Sequence, residues 1–355
     1  MNNHLWLSSL VALITVICVT PLVMKFAIWI KATDQPNNRK VHKKVMPRLG
    51  GLAIIIGVST AYLYSGLSLE NISSITLGAG IIILLGLLDD IFALSAKIKL
   101  VFQLLAAAIV ASSGLTIEFV NIPFVGNYAM GWLSIPLTVL WIVLITNAIN
   151  LIDGLDGLAA GSSAIIIFTI GVVAYFNGKS LIFFFSLIIL ASVLGFLVYN
   201  FHPAKIFMGD IGALFLGYSI SILSLLGLYK SVTLFSIVVP ILLLGVPIFD
   251  TSFAIIRRLA NNRSITAPDN GHLHHRLLFL GLSHRNTVLV IYAMNALFSL
   301  IAIAFSRTTF WGSIILTVTI LFCLELLAEF IGLVHERYTP LLSVFSKLKS
   351  RKNKE

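Results

Sequence analysis

The chain has 355 residues, 58% of them hydrophobic and only 11% charged, with a formal net charge of +10. Together with a mean hydropathy of +1.02, this excludes an ordinary soluble globule or a disordered polyelectrolyte and points to a bundle of membrane spans. Cys18 and Cys323 both lie in apolar runs, which excludes a disulfide framework.

In chain order, apolar runs long enough for a hydrocarbon core of about 30 Å predict about eleven transmembrane helices. They are Leu5–Ile30, Gly50–Gly66, Ile75–Ile91, Ile98–Leu115, Trp132–Ile149, Ala160–Phe176, Leu181–Tyr199, Gly212–Leu228, Val232–Ile256, Val288–Phe305 and Phe310–Ile331. The expected fold is an all-α, polytopic membrane bundle forming one domain over residues 1–355. The first run is too long for a cleaved signal peptide and has no basic segment before it. Lys31, Arg39, Lys40, Lys43, Lys44 and Arg48 follow it, so the N-terminus is expected outside and that loop in the cytoplasm. An odd number of spans then puts the C-terminus inside, where 338–355 forms a basic tail. Of 24 Lys and Arg, all but Lys179, Lys230 and Arg307 fall on the cytoplasmic side. The positive charge reflects orientation and contact with the bilayer rather than nucleic-acid binding.

Polar residues collect in five cytoplasmic segments, near 31–49, 89–99, 147–161, 200–212 and 257–287. The first carries Asp34, Arg39, His42 and Arg48 and ends in Gly50-Gly51. It reads as a juxtamembrane anchor or as a phosphate-binding loop whose glycines admit a close backbone approach. The second holds Asp89 and Asp90, then Lys97 and Lys99. Adjacent acids at a membrane interface are costly, and on a helix they point about 100° apart, which suggests two different tasks.

In the third segment Asn147, Asn150, Asp153 and Asp156 recur every three residues among Gly154, Gly157 and Gly161. That pattern suits a broken helix lining a polar cavity. In the fourth, Asp210 stands between Gly209 and Gly212, as a metal ligand, a helix N-cap or both. The fifth contains His272, His274, His275 and Arg276. Without cysteines or an HExxH spacing, it suits phosphate or sugar recognition better than zinc. Asp250 lies inside the ninth run with no evident cationic partner there.

Aspartates gathered at one interface among lysines, arginines and histidines suit a divalent cation bound to phosphates, Mg2+ foremost and Mn2+ as an alternative. Phosphoryl transfer brings two anions together and needs such cations to offset their repulsion. A lipid phosphate would sit at headgroup depth, and a nucleotide diphosphate would arrive from the cytosol.

The motifs DQPNxRKxH…PRLGG, LGLLDD, NAINLIDGLDGLAAG, HPAKIFMGDIGALFLG and HLHH, spread from Asp34 to His275, resemble those of the polyprenyl-phosphate N-acetylhexosamine-1-phosphate transferases. These enzymes move a sugar-1-phosphate from a UDP-sugar to a polyprenyl phosphate and release UMP. The resemblance implies that Asp89, Asp90, Asp153 and Asp156 serve catalysis and that Asp210, with Asp89, holds the metal. It also implies that Asp34, Arg39, His42, Lys99, Asn147, Asn150, His272, His274, His275 and Arg276 bind substrate. The HLHH wording is similar to the branch using UDP-N-acetylglucosamine with undecaprenyl phosphate. The NAINLIDGLDG and HPAKIF wording resembles the Gram-positive enzymes that start wall teichoic acid linkage units. The expected location is therefore a bacterial plasma membrane. Direct attack by the lipid phosphate and a covalent aspartyl intermediate both fit the sequence, and a homodimer is compatible with it.

Three rivals can be weighed. CDP-alcohol phosphotransferases need Ala-Arg after their first Asp-Gly pair, whereas Ala159-Ala160-Gly161 stands here. A transporter would place acids near the bilayer midplane rather than at one face. A scaffold would not gather carboxylates. Within the resembled family, the peptidoglycan phospho-MurNAc-pentapeptide transferases are the alternative branch.

Overall fold

A computed structural model describes residues 3–34, 45–67, 72–122, 126–229, 238–260 and 271–306, with scattered positions between 312 and 319. Apart from those scattered positions, the eleventh expected run lies outside the described residues, as do the basic tail, Arg39 and His42.

The fold is nearly all-α. The helices are α1 (Asn3–Trp29), α2 (Gly50–Ser65), α3 (Ile72–Phe92), α4 (Ala96–Ser112), α5 (Ser134–Leu151), α6 (Leu158–Phe176), α7 (Ser180–Asn200), α8 (Gly209–Ser224), α9 (Val238–Leu243), α10 (Gly245–Ala260), α11 (Leu273–Phe279) and α12 (His284–Phe305). Among the described residues seven are long and apolar enough to cross a membrane: α1, α3, α5, α6, α7, α8 with the π turn that extends it, and α12. Helix α2 is a shorter apolar helix of 16 residues, and α4 has 17 residues with Lys97 and Lys99 in its first turn.

Two features depart from the sequence expectation. The ninth apolar run is broken at Leu244 into α9 and α10. Pro247 has no N–H to give to Leu243, so one ladder bond is missing at the junction. The fold also contains two small antiparallel pairs. Strands β1 (Thr33–Asp34) and β2 (Met46–Pro47) bracket the first cytoplasmic segment, and β3 (Phe119–Ile122) and β4 (Gly126–Ala129) form a hairpin in the loop before α5.

Helix α8 is the hub. It packs against α2, α3, α5 and α6, and α4 bridges α3 and α5. Away from water, polar side chains need partners inside the protein. Tyr218 on α8 accordingly donates to Ile75 O at 2.8 Å, and Trp141 Nε1 on α5 donates to Ser224 Oγ at 3.0 Å. These bonds tie α3 and α5 to the hub. The site is built around the first turn of α8, where these helices end together.

Candidate active site

Gly209 opens α8 with φ 74°, and a side chain there would collide with Arg48 O and the Asp90 carboxylate. A glycine lets Asp90, on the last turn of α3, reach the start of α8. Its Oδ1 accepts from Asp210 N at 2.9 Å and its Oδ2 from Ile211 N at 3.0 Å. The N-terminal amides of α8 are thus capped by an acid from another helix. The sequence suggested Asp210 as the cap. The need was real, but Asp90 meets it, and this frees the Asp210 side chain.

Asp210 is the meeting point. Arg48 Nη2 donates to its Oδ2 at 2.9 Å, Asn150 Nδ2 donates to its Oδ1 at 2.7 Å, and Lys99 Nζ lies 3.8 Å from that Oδ1. Arg48 Nε also lies 3.4 Å from Asp90 Oδ1, and Lys99 pairs closely with Asp89 Oδ2. Asp89 Oδ1 accepts from Leu94 N at 2.8 Å, which pins the turn between α3 and α4. Burial alone would lower the Arg48 pKa. The carboxylates of Asp90, Asp210, Asp34 and Asp153 outweigh burial and raise it above its ordinary value.

Asp153 lies in the turn between α5 and α6, where solvent reaches part of its residue but protein surrounds the carboxyl group. Burial, with the negative charge of Asp210 and less of Asp156 and against the pull of Arg48, pushes its pKa up to about 7. Four carboxylates (Asp89, Asp90, Asp153, Asp210) therefore face two fixed cations, Arg48 and Lys99. A bound divalent cation would favour ionisation of all four, and the resulting excess of two negative charges would match its own charge; oxygen donors suit Mg2+ rather than zinc.

The four polar residues that recur every three positions go to three different places. Asn150 serves Asp210, and Asp153 faces Asp210 and Arg48. Asn147 exchanges amide hydrogen bonds with Gln103 of α4. Asp156 turns the other way: its Oδ2 contacts His202 Nδ1 at 2.9 Å and accepts from Ala204 N at 3.1 Å, while its own N–H donates to His284 Nε2 at 3.0 Å. The rings of His202 and His284 stack with centroids 4.4 Å apart. Asp156, His202 and His284 bring three ligand atoms within 4.8 Å of one another. The His284 Nε2 lone pair already accepts the Asp156 N–H, so the group works as a clasp that joins the α5–α6 turn, the α7–α8 connection and the start of α12.

Of the three HLHH histidines, two are buried. His272 Nδ1 contacts Asp250 Oδ2 at 2.9 Å, and Asp250 Oδ1 accepts from Leu273 N at 2.8 Å. The intramembrane acid without a partner in its own span is thus the group that seats the histidine loop. His274 lies directly over Gly154, so any side chain at 154 would collide with its ring. Burial, and then the charge of His275, lower the His274 pKa to about 4. His275 is exposed, and Arg276 follows it on α11. Asp34 sits in β1 opposite Met46.

Sequence reasoning gave no site role to Arg48, Gln103, His202 or His284. Arg48 was one basic residue among many in its loop, and the others declare themselves only through contacts between segments far apart in the chain.

Residues 72–228 match glycosyl transferase family 4. The chain is 57% identical over 344 residues to a probable undecaprenyl-phosphate N-acetylglucosaminyl 1-phosphate transferase of Bacillus subtilis, covering 96% of both chains. It is 36% identical to a decaprenyl-phosphate N-acetylglucosaminephosphotransferase of Mycolicibacterium smegmatis, over 82% of this chain and 79% of that one. It is 29% identical to a phospho-N-acetylmuramoyl-pentapeptide-transferase of Halalkalibacterium halodurans, over 85% and 98%.

Proposed function

The chain belongs to glycosyl transferase family 4, and from that membership we propose that it transfers N-acetylglucosamine-1-phosphate from UDP-N-acetylglucosamine to undecaprenyl phosphate. The products are UMP and undecaprenyl-diphosphate-N-acetylglucosamine, a first membrane-bound intermediate for cell-wall polysaccharides such as teichoic acid. The chain is a multi-pass membrane protein of a bacterium. In this reading it crosses the plasma membrane eleven times, with its N-terminus outside and the Asp210 end of the bundle in the cytoplasm.

The observation that carries the reading is the surplus of negative charge around Asp210, bordered by two partly exposed cations at the membrane end of the hub helix. A phosphoryl-transfer site needs such a place for a metal-bound diphosphate. Asp210 and Asp89, with Asp153 beside them, would hold a Mg2+ that neutralises diphosphate charge when bound. Arg48 and Lys99 have side chains 37% and 27% exposed, so they can turn from the carboxylates to incoming phosphate oxygens. Asn150 keeps Asp210 oriented. Asp90 has both oxygens committed to the α8 amides and acts by positioning. His275 and Arg276, at the open side of the histidine loop, suit the sugar-diphosphate.

The chemistry is an in-line displacement. An oxygen of the lipid phosphate attacks the sugar-bearing β-phosphorus, a new P–O bond forms, the P–O bond to UMP breaks, and UMP leaves with the electron pair. In this reading the lipid phosphate attacks directly: Asp90, with both oxygens bound to α8 amides, is not placed to act as a nucleophile, and Asp89 serves the metal.

The test incubates purified protein with Mg2+, undecaprenyl phosphate and either UDP-N-acetylglucosamine or UDP-MurNAc-pentapeptide. UMP release from the first donor alone is expected, with Asp210→Asn slower by about 100-fold or more. Release from the second donor alone would move the chain to the peptidoglycan branch. Exchange of labelled UMP into UDP-N-acetylglucosamine without the lipid would overturn the direct displacement.

A further inference from the structure

Helices α4 and α5 face each other across two polar rungs. Gln103 follows Lys99 by four residues on α4, and Asn147 precedes Asn150 by three on α5, so each pair shares one face of its helix. The rung nearer the site, Lys99 and Asn150, converges on a single oxygen. Asn150 Nδ2 donates to Asp210 Oδ1 at 2.7 Å, and Lys99 Nζ stands 3.8 Å from the same atom.

Among the described residues, the inner rung pairs only with itself and its own backbone. Asn147 Nδ2 donates to Gln103 Oε1 at 2.6 Å, and Gln103 Nε2 donates back to Asn147 Oδ1 at 3.3 Å. The same Asn147 Nδ2 also donates to Val143 O at 2.8 Å. Gln103 is 1% exposed.

We infer that Gln103 and Asn147 form a positioning clasp that fixes the register and spacing of α4 against α5, and so places Lys99 and Asn150 on Asp210. This assigns Asn147 a place in the framework rather than contact with substrate, and it rests on the transferase reading of the Asp210 site. The physical reason lies in the difference between amides and apolar side chains. Two leucines facing each other tolerate a slide of an ångström with small loss. Two reciprocally bonded amides away from water do not, because any slide leaves a buried donor and acceptor unpaired. A polar pair of this kind contributes little to raw stability but defines one register sharply. The precision is needed one turn away. Asn150 binds the Asp210 Oδ1 from α5 while Lys99 faces it from α4 and pairs with Asp89, and a displacement of about 1 Å at a reacting site costs on the order of 100-fold in rate.

The test uses the full chain in detergent with lipid and four variants: Gln103→Leu, Asn147→Leu, both leucines together, and the exchange Gln103→Asn with Asn147→Gln. The readouts are kcat at saturating substrates, KM for UDP-N-acetylglucosamine, melting temperature, and Mn2+ affinity by electron paramagnetic resonance without substrate. Each single leucine should lower kcat about 10- to 100-fold and weaken Mn2+ binding about 10-fold or more, with the KM little changed. The exchange moves one methylene across the gap and keeps the amide pair, so it should recover most of both. The double leucine should melt near the wild type and still be slow.

Wild-type kcat and Mn2+ affinity in Gln103→Leu would overturn the clasp. So would an exchange variant no better than the single variants, or a double leucine whose activity recovers with its stability. A rise in KM confined to Asn147→Leu would instead make Asn147 a substrate ligand. If a single leucine fails to fold, the exchange variant decides. Absence of UMP release from the wild type would count against the transferase reading alone, and the clasp would then be judged on Mn2+ affinity.

Discussion

Asp89 and Asp90 are neighbours in the chain and opposites in environment. Asp90 holds two backbone amides of α8 and the Arg48 guanidinium, whereas Asp89 holds Leu94 N and the Lys99 ammonium beside Asp210. Replacing Asp90 by Asn leaves one oxygen for two amides and removes a charge, at a cost of about 1–3 kcal/mol. A lower melting temperature should therefore accompany its loss of kcat. Asp89→Asn should lose turnover with a smaller change in melting temperature and a raised Mg2+ requirement. Thermal melts and UMP release over a Mg2+ series separate the two, and indistinguishable profiles would deny the division of labour. His274 gives a pH prediction. Its folded pKa of about 4 lies below the ordinary imidazole value of 6.5. Above pH 6.5 both states hold it neutral. As pH falls from 6.5 towards 4, the unfolded chain takes the proton first and stability is lost, by about 3 kcal/mol in all. The drop in melting temperature across that window should shrink in His274→Gln.

At the scale of elements, the site depends on how closely α2 and α3 approach the first turn of α8. A side chain at Gly86 would meet the Ile211 backbone, and one at Gly51 would meet that of Gly212. Neither obstacle is a flexible side-chain tip that could swing aside. Gly86→Ala should push α3 from α8, part Asp90 from the amides it caps, and destabilise by about 1–3 kcal/mol. Since Asp90 and Asp89 share that helix turn, activity should fall along with the melting temperature. A Gly86→Ala protein with wild-type activity and stability would show that the contact has slack. Asp250 makes the same point within a smaller element: by accepting from His272 and Leu273 it holds α11 where His274 can cover Gly154.

For the whole molecule the testable property is sidedness. Single cysteines at Asn177, between α6 and α7, should react with an impermeant thiol reagent from outside intact cells. Cysteines at Lys97, on the Asp210 side, should react only after the membrane is opened. The 24 Lys and Arg, of which only Lys179, Lys230 and Arg307 lie on the expected outer side, motivate that prediction. Labelling at Lys97 from outside would invert the thread. The sequence alone was enough for the class of fold, most of the helices and the set of acids at one end, because hydropathy and charge asymmetry are local properties of a chain in lipid. Asp89, Asp90, Asp153, Asp156 and Asp210 could be named as one group for the same reason, although the fold turns Asp156 away from the others. What each does could not be read, because the roles follow from contacts between distant segments. Tertiary structure alone decided that Asp90 caps α8 while the Asp210 side chain meets Arg48 and Asn150, that Arg48 reaches both acids, and that Asn147 pairs with Gln103 while Asp156 turns to His202 and His284. A buried polar group must find a partner wherever the packed helices provide one, and that choice depends on the whole bundle rather than on its neighbours in sequence.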